Sequence, residues 1–466
     1  MPKGSQPKTI AELRDSGFEP STVKQEVRKN LVAKIESGEQ LFPGIIGFED
    51  TVTPQVENAL LAGQDLILLG ERGQAKSRLT RHLTSLLDET IPVIAGCEIN
   101  DSPIAPICRY CRDKIDAYGD GVAIEWLPRE RRYSEKLATP DISVADLIGE
   151  IDPVRVAEGR YLSDELTIHY GLIPRTNRGI FCINELPDLS ERIQVSLFNL
   201  MQERDIQIKG YRIMLPLDLF IVATANPEDY TNRGRIITPL KDRYGAQIRT
   251  HYPQTAEQEL SIVDQEYVRF EDTSERVSVP EYMREVVAEI TSLARRSPEI
   301  NQRSGVSLRV SIANYETLLS SSFKRGLRLN ERASPRISDL PALIASMNGK
   351  LEMESVEEGR EYRVVEDLIK KAVLNVFGRY FSAAEFDDLL VRFENGLVVE
   401  AGADAASSAY VGRLEEMGEA KELVARIIEG DDPASVASAV EFVLEGLHLN
   451  RLLNRDEIDG NFVYKS

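Results

Sequence analysis

Short apolar runs alternate with amphipathic segments through the first half of the chain. Runs of strand length lie at residues 65–69 (DLILL), 178–183 (RGIFCI) and 219–223 (LFIVA). Helical spacing of apolar positions is seen at residues 52–63 and 77–87. Short buried strands that alternate with helices predict a parallel sheet covered by helices on both faces, so the expected fold class is α/β.

Two later stretches depart from this alternation. Residues 146–172 contain Gly-punctuated segments and are interpreted as an insertion. Residues 206–215 alternate around Lys209 and Gly210, which is typical of a β-hairpin. After Pro253 the pattern becomes that of amphipathic helices, at residues 257–271, 280–296 and 308–325.

These patterns divide the chain into four predicted segments. They are an N-terminal helical arm (1–41), an α/β core (42–253), a helical domain (254–378) and an acidic, Ala-rich helical C-terminal segment (379–466). A length of 466 residues is compatible with two to four domains.

The composition is globular, with a strong acidic excess. Hydrophobic residues make up 42% and charged residues 28% of the chain, and the formal net charge is −20. Because phosphate contacts need clustered Lys and Arg, this charge disfavours nucleic acid and anionic membranes as partners.

No apolar run approaches the ~20 residues of a membrane span, and the polar N-terminus lacks a signal-peptide pattern. Four cysteines in this length do not make a disulfide framework, so we expect a cytoplasmic protein with reduced thiols.

The segment after the first predicted strand has the spacing of a phosphate-binding loop. It reads GERGQAKS and comprises Gly70, Glu71, Arg72, Gly73, Gln74, Ala75, Lys76 and Ser77. In such a loop, backbone N–H groups point at the phosphates of ATP, the Lys reaches the β- and γ-phosphates, and the Ser hydroxyl binds Mg²⁺. The consensus has Gly where Ala75 stands, and the extra methyl group is strained if φ there is positive. The predicted cofactors are therefore ATP and Mg²⁺.

Polar residues follow the next two predicted strands. Glu185 stands at the end of the second strand, where a carboxylate can polarise the water that attacks the γ-phosphate. Asn184 occupies the position usually held by an Asp that orders the Mg²⁺ shell, so we expect slower turnover. Asn226 ends the third strand and is a candidate to bind the attacking water or the γ-phosphate.

Two arginines further along are candidates for contacts with ATP. Arg243 lies in LKDRYG just past the core strands, and Arg309 opens a helix of the following domain. An Arg supplied by a neighbouring subunit stabilises charge on the transferring phosphoryl group, and an Arg on a helical domain can sense the γ-phosphate. The alternative for each is a solvated or salt-bridged surface Arg.

Three cysteines lie close together in CEINDSPIAPICRYC. Cys97, Cys108 and Cys111 have a spacing compatible with tetrahedral Zn²⁺. A fourth ligand is not obvious from the sequence, and His82 is one candidate. The alternative is three unlinked cysteines in a loop.

Taken in order, these motifs resemble the MoxR-type and magnesium-chelatase ATPase-subunit branch of the AAA+ ATPases. GERGQAKS is similar to that branch's phosphate loop, in which Ala before the Lys is seen in MoxR-type members. RGIFCINE is similar to the second motif of that branch, and Asn184 is the departure from it. Residues 146–172 resemble the helix-2 insert of that branch. The stretch IQIKGYRIMLPLDLFIVATANP resembles the hairpin before sensor 1 and the sensor 1 strand itself, and Asn226 stands at the sensor 1 position. TPLKDRYG is similar to the arginine-finger segment, which assigns the finger to Arg243. GVSLR is similar to the sensor 2 segment, which assigns sensor 2 to Arg309. The resemblance covers residues 42–350.

The resemblance implies a P-loop NTPase (AAA+) core followed by a helical lid. It also implies a homo-oligomeric ring, commonly a hexamer, with ATP at the subunit interfaces. Relatives work with proteins that carry a von Willebrand A-type metal-binding domain, so such a protein is the expected partner.

Several functions are compatible with this pattern. The first is an ATP-hydrolysing motor that remodels a protein partner, as a chaperone or a metal-insertion assembly factor. The second is a magnesium-chelatase ATPase subunit proper. The third, suggested by Asn184, is a nucleotide-binding scaffold with little turnover. A DNA-dependent motor is disfavoured by the net charge of −20.

Overall fold

The computed structural model describes residues 6–157, 161, 164–203, 206–208, 211–213, 215–226, 235–354, 359–428, 430–458 and 461–466. The chain forms two compact units, Met1–His251 and Tyr252–Ser466.

The first unit combines short helices with the strands of the main sheet. Its helices are α1 (Ile10–Asp15), α2 (Val23–Ser37), α3 (Val52–Leu61), α4 (Lys76–His82), α5 (Arg109–Tyr118), α6 (Val144–Leu147), α7 (Pro153–Ala157), α8 (Leu172–Arg175), α9 (Glu191–Glu203) and α10 (Thr238–Arg243). Its strands are β1 (Leu66–Leu69), β2 (Thr90–Ile94), β3 (Ile124–Pro128), β4 (Tyr133–Leu137), β5 (Gly149–Ile151), β6 (Ile168–Tyr170), β7 (Gly179–Asn184), β8 (Ile206–Ile208), β9 (Tyr211–Ile213), β10 (Leu219–Ala225) and β11 (Ala246–Arg249). Single turns of 3₁₀-helix lie at Leu83–Leu86, Gly119–Gly121, Arg129–Arg132, Glu165–Thr167 and Leu186–Asp188.

In the part of the chain that the structure describes, five strands form the main sheet in the order β11-β1-β10-β7-β4, and every neighbouring pair is parallel. The prediction of a parallel sheet is therefore confirmed, and the three apolar runs of the sequence form β1, β7 and β10. Leu69 pairs with Ala225, and Ile183 pairs with Ala223. The carboxyl ends of these three strands thus lie side by side, and the residues that follow them are neighbours.

Both faces of the main sheet are covered, which explains why its strands are apolar throughout. Alternate residues of a strand point to opposite faces. One face is lined by residues that share a core with α2 and α3, namely Leu66, Leu68, Ile180, Phe220, Val222 and Ile248. The other face is lined by residues that share a core with α1 and α9, namely Ile67, Leu69, Phe181, Ile183, Ile221 and Ala223.

The predicted N-terminal arm is helical and packs within the first unit. Val27 and Leu31 of α2 belong to the apolar core on one face of the sheet. Glu26 of the same helix forms a buried, bidentate ion pair with Arg132, with N–O distances of 2.7 and 2.6 Å. The described residues 6–41 therefore form an integral layer of this unit.

Among the described residues of this unit, three antiparallel pairs accompany the main sheet. β8 pairs with β9 as the predicted hairpin, although its central residues Lys209 and Gly210 lie outside the described residues. β5 pairs with β6 inside the predicted insertion at 146–172. β2 pairs with β3, a pairing that the sequence analysis did not include.

The second unit is mainly helical. Its helices are α11 (Ala256–Glu266), α12 (Glu271–Arg276), α13 (Glu281–Ala294), α14 (Arg309–Leu329), α15 (Leu343–Met347), α16 (Arg360–Tyr380), α17 (Asp387–Glu394), α18 (Ser407–Glu416), α19 (Ala420–Ala425) and α20 (Pro433–Leu449), with 3₁₀ turns at Ile337–Ala342 and Ala383–Phe386. Its strands β12 (Val399–Ala401), β13 (Asn454–Ile458) and β14 (Asn461–Lys465) form an antiparallel sheet in the order β12-β14-β13.

One hydrophobic core runs through this unit from Val263 to Tyr464. The stacked rings of Tyr282 and Phe442, whose centroids lie 4.5 Å apart, join α13 to α20. The predicted border between 378 and 379 therefore crosses a single packed core, and the C-terminal segment contains a sheet besides its helices. In the described part of the chain, no helix is both long and apolar enough to cross a bilayer.

Candidate functional site

The loop between β1 and α4 is closely fitted to the strand beside it. The Gly70 N–H donates to the carbonyl of Ala225 at 3.1 Å. A Cβ at Gly70 would lie 1.8 Å from Oγ1 of Thr250 and 2.3 Å from Oε1 of Gln74. A side chain at position 70 is therefore excluded by contacts with its neighbours, as well as by the turn of the loop.

The buried side chain of Gln74 links the start of the loop to the residue that follows β11. Its buried Oε1 accepts the backbone N–H of Glu71 at 3.1 Å and the hydroxyl of Thr250 at 2.7 Å. Thr250 also donates its backbone N–H to the carbonyl of Leu69 at 2.8 Å, which ties the loop to the end of β11. The sequence pattern predicts Gln74 in the loop but gives no sign of Thr250, because the two residues are far apart in the chain.

Ala75 has a left-handed backbone, with φ 53° and ψ 14°. The loop also has a positive φ at Gly73, 77°. The left-handed region costs a non-glycine residue about 1–2 kcal/mol. The positive φ that makes the Ala75 methyl group strained is therefore present, and this turn starts α4 at Lys76.

Lys76 lies at the centre of the candidate site. It is buried, and its Nζ donates to the carbonyl oxygens of Gly70 and Glu71, the latter at 2.8 Å. Nζ also donates to Oδ1 of Asn226 at 2.7 Å. The amide of Asn226 in turn donates from Nδ2 to Oε2 of Glu185 at 2.8 Å. The structure thus brings together three residues that the sequence predicted separately.

The parallel register explains how these three residues meet. Each residue lies beyond the carboxyl end of one of three neighbouring strands. Lys76 follows the loop after β1, Glu185 follows β7, and Asn226 follows β10. Glu185 has a left-handed backbone with φ 57°, and its N–H donates to the hydroxyl of Thr224 at 3.3 Å. Strain at a non-glycine residue is a recurrent feature of functional sites.

Asn184 is held in a network that includes a carboxylate from the next strand. Its Oδ1 accepts the hydroxyl of Thr224 at 3.1 Å, and its Nδ2 donates to Oε1 of Glu135 on β4. Glu135 is also paired with Arg81 of α4, at 2.8 Å from Nε and 3.1 Å from Nη2. Burial acts to raise the pKa of Glu135, but the hydrogen bond and charge of Arg81 outweigh it and hold the pKa below its ordinary value. A negative charge therefore lies directly beside the neutral Asn184, and nothing in the local sequence spacing predicts it.

The remaining loop residues are more accessible. Ser77 is half-buried as the second residue of α4, Glu71 is half-buried, and Arg72 is exposed. These positions are compatible with a loop that presents backbone groups and a hydroxyl to a ligand.

The two predicted arginines lie on helices of different units. Arg243 is the last residue of α10, is exposed, and stacks over the ring of Phe198 with its Cζ 5.5 Å from the centroid. Arg309 is the first residue of α14 in the second unit, and its side chain is exposed. Their predicted contacts with ATP stay predictions.

The three cysteines of the CEINDSPIAPICRYC segment are gathered in one cluster. Sγ of Cys97, Cys108 and Cys111 and a carboxylate oxygen of Asp101 all lie within 4.8 Å of one another. Hydrogen bonds with the thiols of Cys108 and Cys111 lower the pKa of the Cys97 thiol.

His82 was the suggested fourth ligand, and that suggestion was wrong. Its ring packs edge-on against Phe42, with centroids 6.2 Å apart, in a different part of the unit. Burial, followed by the charge of Arg78, lowers the pKa of His82. Asp101 stands in the cluster instead, a residue that spacing rules for Cys and His do not include.

Comparisons with known proteins give partial likenesses. The sequence matches no protein-family model. It is 28% identical over 138 residues to an archaeal Lon protease of Thermococcus kodakarensis, covering 27% of this chain and 21% of that protein. It is 27% identical over 143 residues to an archaeal Lon protease of Pyrococcus abyssi, covering 28% of this chain and 14% of that protein. The chain spans about a fifth or less of the length of these relatives.

Similar solved structures include a chain of the complex between the BchI and BchD subunits of magnesium chelatase. It is 20% identical, with a TM-score of 0.35, over 70% of this chain and 98% of that chain. NtrX of Brucella abortus in complex with ADP is 13% identical, with a TM-score of 0.32, over 88% and 71% of the two chains. A RuvB mutant of Thermotoga maritima is 10% identical, with a TM-score of 0.33, over 99% and 96%. Since these scores are low, the fold assignment rests on the strand order and loop geometry of this chain.

Proposed function

We propose that this chain binds ATP with Mg²⁺ at the loop from Gly70 to Ser77 and hydrolyses it, and that it acts as an AAA+ motor on a protein partner. The observation that carries the proposal is the link from Lys76 through Asn226 to Glu185, with hydrogen bonds of 2.7 and 2.8 Å. A cation for the phosphates, a polar amide and a carboxylate base then lie on one edge of a parallel sheet. Ligands of open α/β sheets bind outside the carboxyl ends of the strands.

The residues of the loop supply the binding groups. In this proposal the backbone N–H groups between Gly70 and Lys76 and the start of α4 bind the phosphates. The Lys76 ammonium, which the loop carbonyls and Asn226 hold in place, contacts the β- and γ-phosphates. The hydroxyl of Ser77 is the ligand for Mg²⁺ on the loop side.

Glu185 is the proposed general base. Its carboxylate accepts the Asn226 amide at 2.8 Å, which fixes its orientation towards the side of the sheet that carries Lys76. A carboxylate in this position orients the attacking water. Asn226 would contact the same water or the γ-phosphate, so the pair acts together.

The donor set around Asn184 fits a hydrated Mg²⁺ ion, which prefers oxygen ligands and keeps several waters. It offers the Asn184 amide oxygen, the Thr224 hydroxyl and the Glu135 carboxylate, joined by hydrogen bonds. Mg²⁺ would supply charge neutralisation on the β- and γ-phosphates. We propose that Glu135 contributes part of the negative charge that Asn184 lacks.

The proposal is tested by phosphate release and ATP binding on the purified full chain. Glu185→Gln is expected to lower the hydrolysis rate by on the order of 100-fold or more while ATP affinity is retained. Lys76→Ala is expected to abolish ATP binding. Glu191→Gln, an exposed carboxylate in the first turn of α9, is the matched control and should hydrolyse ATP like the parent. Unchanged turnover in Glu185→Gln would refute the assignment of the base.

Asn184 favours a second candidate, a scaffold that binds ATP with little turnover. Its side chain is a neutral amide where the usual residue is an Asp, so position 184 itself brings no negative charge to the predicted Mg²⁺. Tight ATP binding by the parent chain without measurable phosphate release would support the scaffold over the motor.

The assembly and partner are proposed on the sequence resemblance. We expect a homo-oligomeric ring, a hexamer by preference, in which the exposed Arg243 reaches ATP on the neighbouring subunit and Arg309 senses it from the second unit. A protein with a von Willebrand A-type domain is the proposed partner, in remodelling or in a magnesium chelatase. Measurement of particle mass with and without ATP, followed by identification of co-purifying proteins, tests both proposals.

A further inference from the structure

We propose that Cys97, Asp101, Cys108 and Cys111 form a structural site for one Zn²⁺ ion. Three Sγ atoms and one carboxylate oxygen, all within 4.8 Å of one another, make four protein ligands. A complete set of four ligands from the protein is typical of structural zinc, whereas catalytic zinc keeps an open position. The site is separate from the proposed ATP site and does not depend on it.

The separation between the sulfurs of Cys97 and Cys108 fits a tetrahedral ion. With Zn–S bonds of about 2.3 Å, two ligand sulfurs around one ion lie about 3.8 Å apart. Sγ of Cys97 and Sγ of Cys108 are 3.9 Å apart. A disulfide needs about 2.0 Å between the sulfurs, and all four cysteines of the chain are free thiols. The cluster therefore has the spacing of ligands to a common ion.

Backbone N–H groups hold three of the four ligands in place. The Asp101 carboxylate accepts the N–H of Ile107 at 3.0 and 2.9 Å and that of Cys108 at 2.9 Å. The sulfur of Cys97 accepts the N–H of Asp101, and the sulfur of Cys108 accepts the N–H of Cys111, each at 3.4 Å. Such outer contacts orient metal ligands and stabilise the deprotonated thiol.

Burial and charge also favour a cation at this position. Asp101 is 1% exposed and Cys111 is fully buried. Within the described ranges, no Lys, Arg or His nitrogen lies within 4.0 Å of a carboxylate oxygen of Asp101, so Asp101 forms no ion pair there. A buried carboxylate is costly unless it is paired or coordinates a metal. Thiolates select zinc or other soft ions over Mg²⁺ and Ca²⁺, which prefer oxygen.

The position of the cluster explains what the ion would do. Cys97 follows β2, Cys108 caps α5 and Cys111 lies in the first turn of that helix. An ion bound to all three joins the end of β2 to the start of α5 across a loop of irregular backbone. Cys97 is half-buried and lines a cavity of about 350 Å³, which gives the ion a route into the site.

The first test uses the parent chain, purified under reducing conditions without added metal. Elemental analysis is expected to give about one zinc per chain. After removal of the metal, titration with Co²⁺ should saturate at one equivalent, with the visible bands of a tetrahedral ion and a sulfur-to-cobalt charge-transfer band. Little zinc together with no cobalt spectrum would overturn the proposal. A mass reduced by two hydrogens, which marks a disulfide between these cysteines, would also overturn it.

Variants then assign the ligands. Cys111→Ser and Asp101→Asn should each weaken Co²⁺ binding by at least about tenfold and alter the charge-transfer or visible bands. Cys182→Ala is the matched control, because Cys182 is a buried cysteine of β7 outside the cluster, and this variant should keep one zinc per chain. If a variant fails to fold, the cobalt spectrum of the parent still decides whether the site exists. Equal binding by Cys111→Ser and the parent contradicts the assignment.

Discussion

The side-chain amide of Asn226 donates to the Glu185 carboxylate over 2.8 Å, while its oxygen accepts the ammonium of Lys76 at 2.7 Å. The amide satisfies both neighbours, because its NH₂ group donates and its oxygen accepts. The orientation of Asn226 is therefore fixed by a cation on one side and an anion on the other. This arrangement makes position 226 a sensitive point for a test of the proposed chemistry.

Asn226→Asp is expected to impair hydrolysis more than ATP binding. The new carboxylate can still accept from Lys76, but it faces Glu185 with a like charge and removes the donor that orients the base. We expect kcat to fall on the order of 100-fold, with a change of only a few-fold in ATP affinity. Repulsion should also raise the pKa of one of the two carboxyl groups and shift the acid limb of the rate profile upwards. A kcat equal to that of the parent would show that the amide has no part in turnover.

Ala75→Gly is expected to relieve backbone strain without loss of the loop. A left-handed residue with φ 53° costs about 1–2 kcal/mol for Ala, and Gly recovers most of this at an entropic cost of about 0.5–1 kcal/mol. The free energy of unfolding should therefore rise by about 1 kcal/mol or less. Ala75→Val, with a branched Cβ, should lose about 2 kcal/mol or more and weaken ATP binding. Denaturant unfolding and calorimetric titration with ATP measure the two effects, and a stabilising Ala75→Val would contradict the observed backbone conformation.

The sequence predicted the parts of the site that depend on local spacing. The apolar runs predicted β1, β7 and β10, and the residues that follow these strands meet because parallel strands end at one edge. Ala75 raised a question about φ that only the backbone of the loop could answer.

The missed residues are those that reach the site from distant parts of the chain. Thr250 enters through the pairing of β11 with β1, and Glu135 through the pairing of β4 with β7. Asp101 joins the cysteines through the path of one loop, and a carboxylate is not part of common zinc spacing rules. The C-terminal strand β14 also went unpredicted, because only Phe462 and Tyr464 give it an apolar face. Residue spacing alone contains no information on these contacts.

Asn184→Asp restores the usual residue but is expected to destabilise the fold at neutral pH. Its carboxylate would replace an amide that donates to Glu135, and two negative charges in contact raise the pKa of one of them. A raised folded-state pKa means that stability is highest at acidic pH and falls as pH rises above the unfolded value of about 4. We expect a loss of about 1–2 kcal/mol at pH 7 relative to the parent, and a smaller loss at pH 5.

The double variant Asn184→Asp with Glu135→Gln is the control for this prediction. It removes the facing charge and should recover most of the lost stability at pH 7. Denaturant unfolding of the four proteins at pH 5 and pH 7 gives the interaction energy directly. A loss in the single variant that is independent of pH would show that charge repulsion is not its cause.

The buried pair of Glu26 and Arg132 tests whether the N-terminal helices belong to the first unit. Both side chains are nearly inaccessible, at 3% and 1% exposure, and they form two N–O contacts of 2.7 and 2.6 Å. Removal of one partner leaves the other charge buried, which costs about 3–5 kcal/mol. Glu26→Ala should therefore lower the free energy of unfolding by several kcal/mol, as measured by denaturant titration at pH 7. Glu36→Ala, an exposed change on the same helix, should alter it by less than about 0.5 kcal/mol. Similar small effects in both variants would contradict the assignment of α2 to the packed core of the first unit.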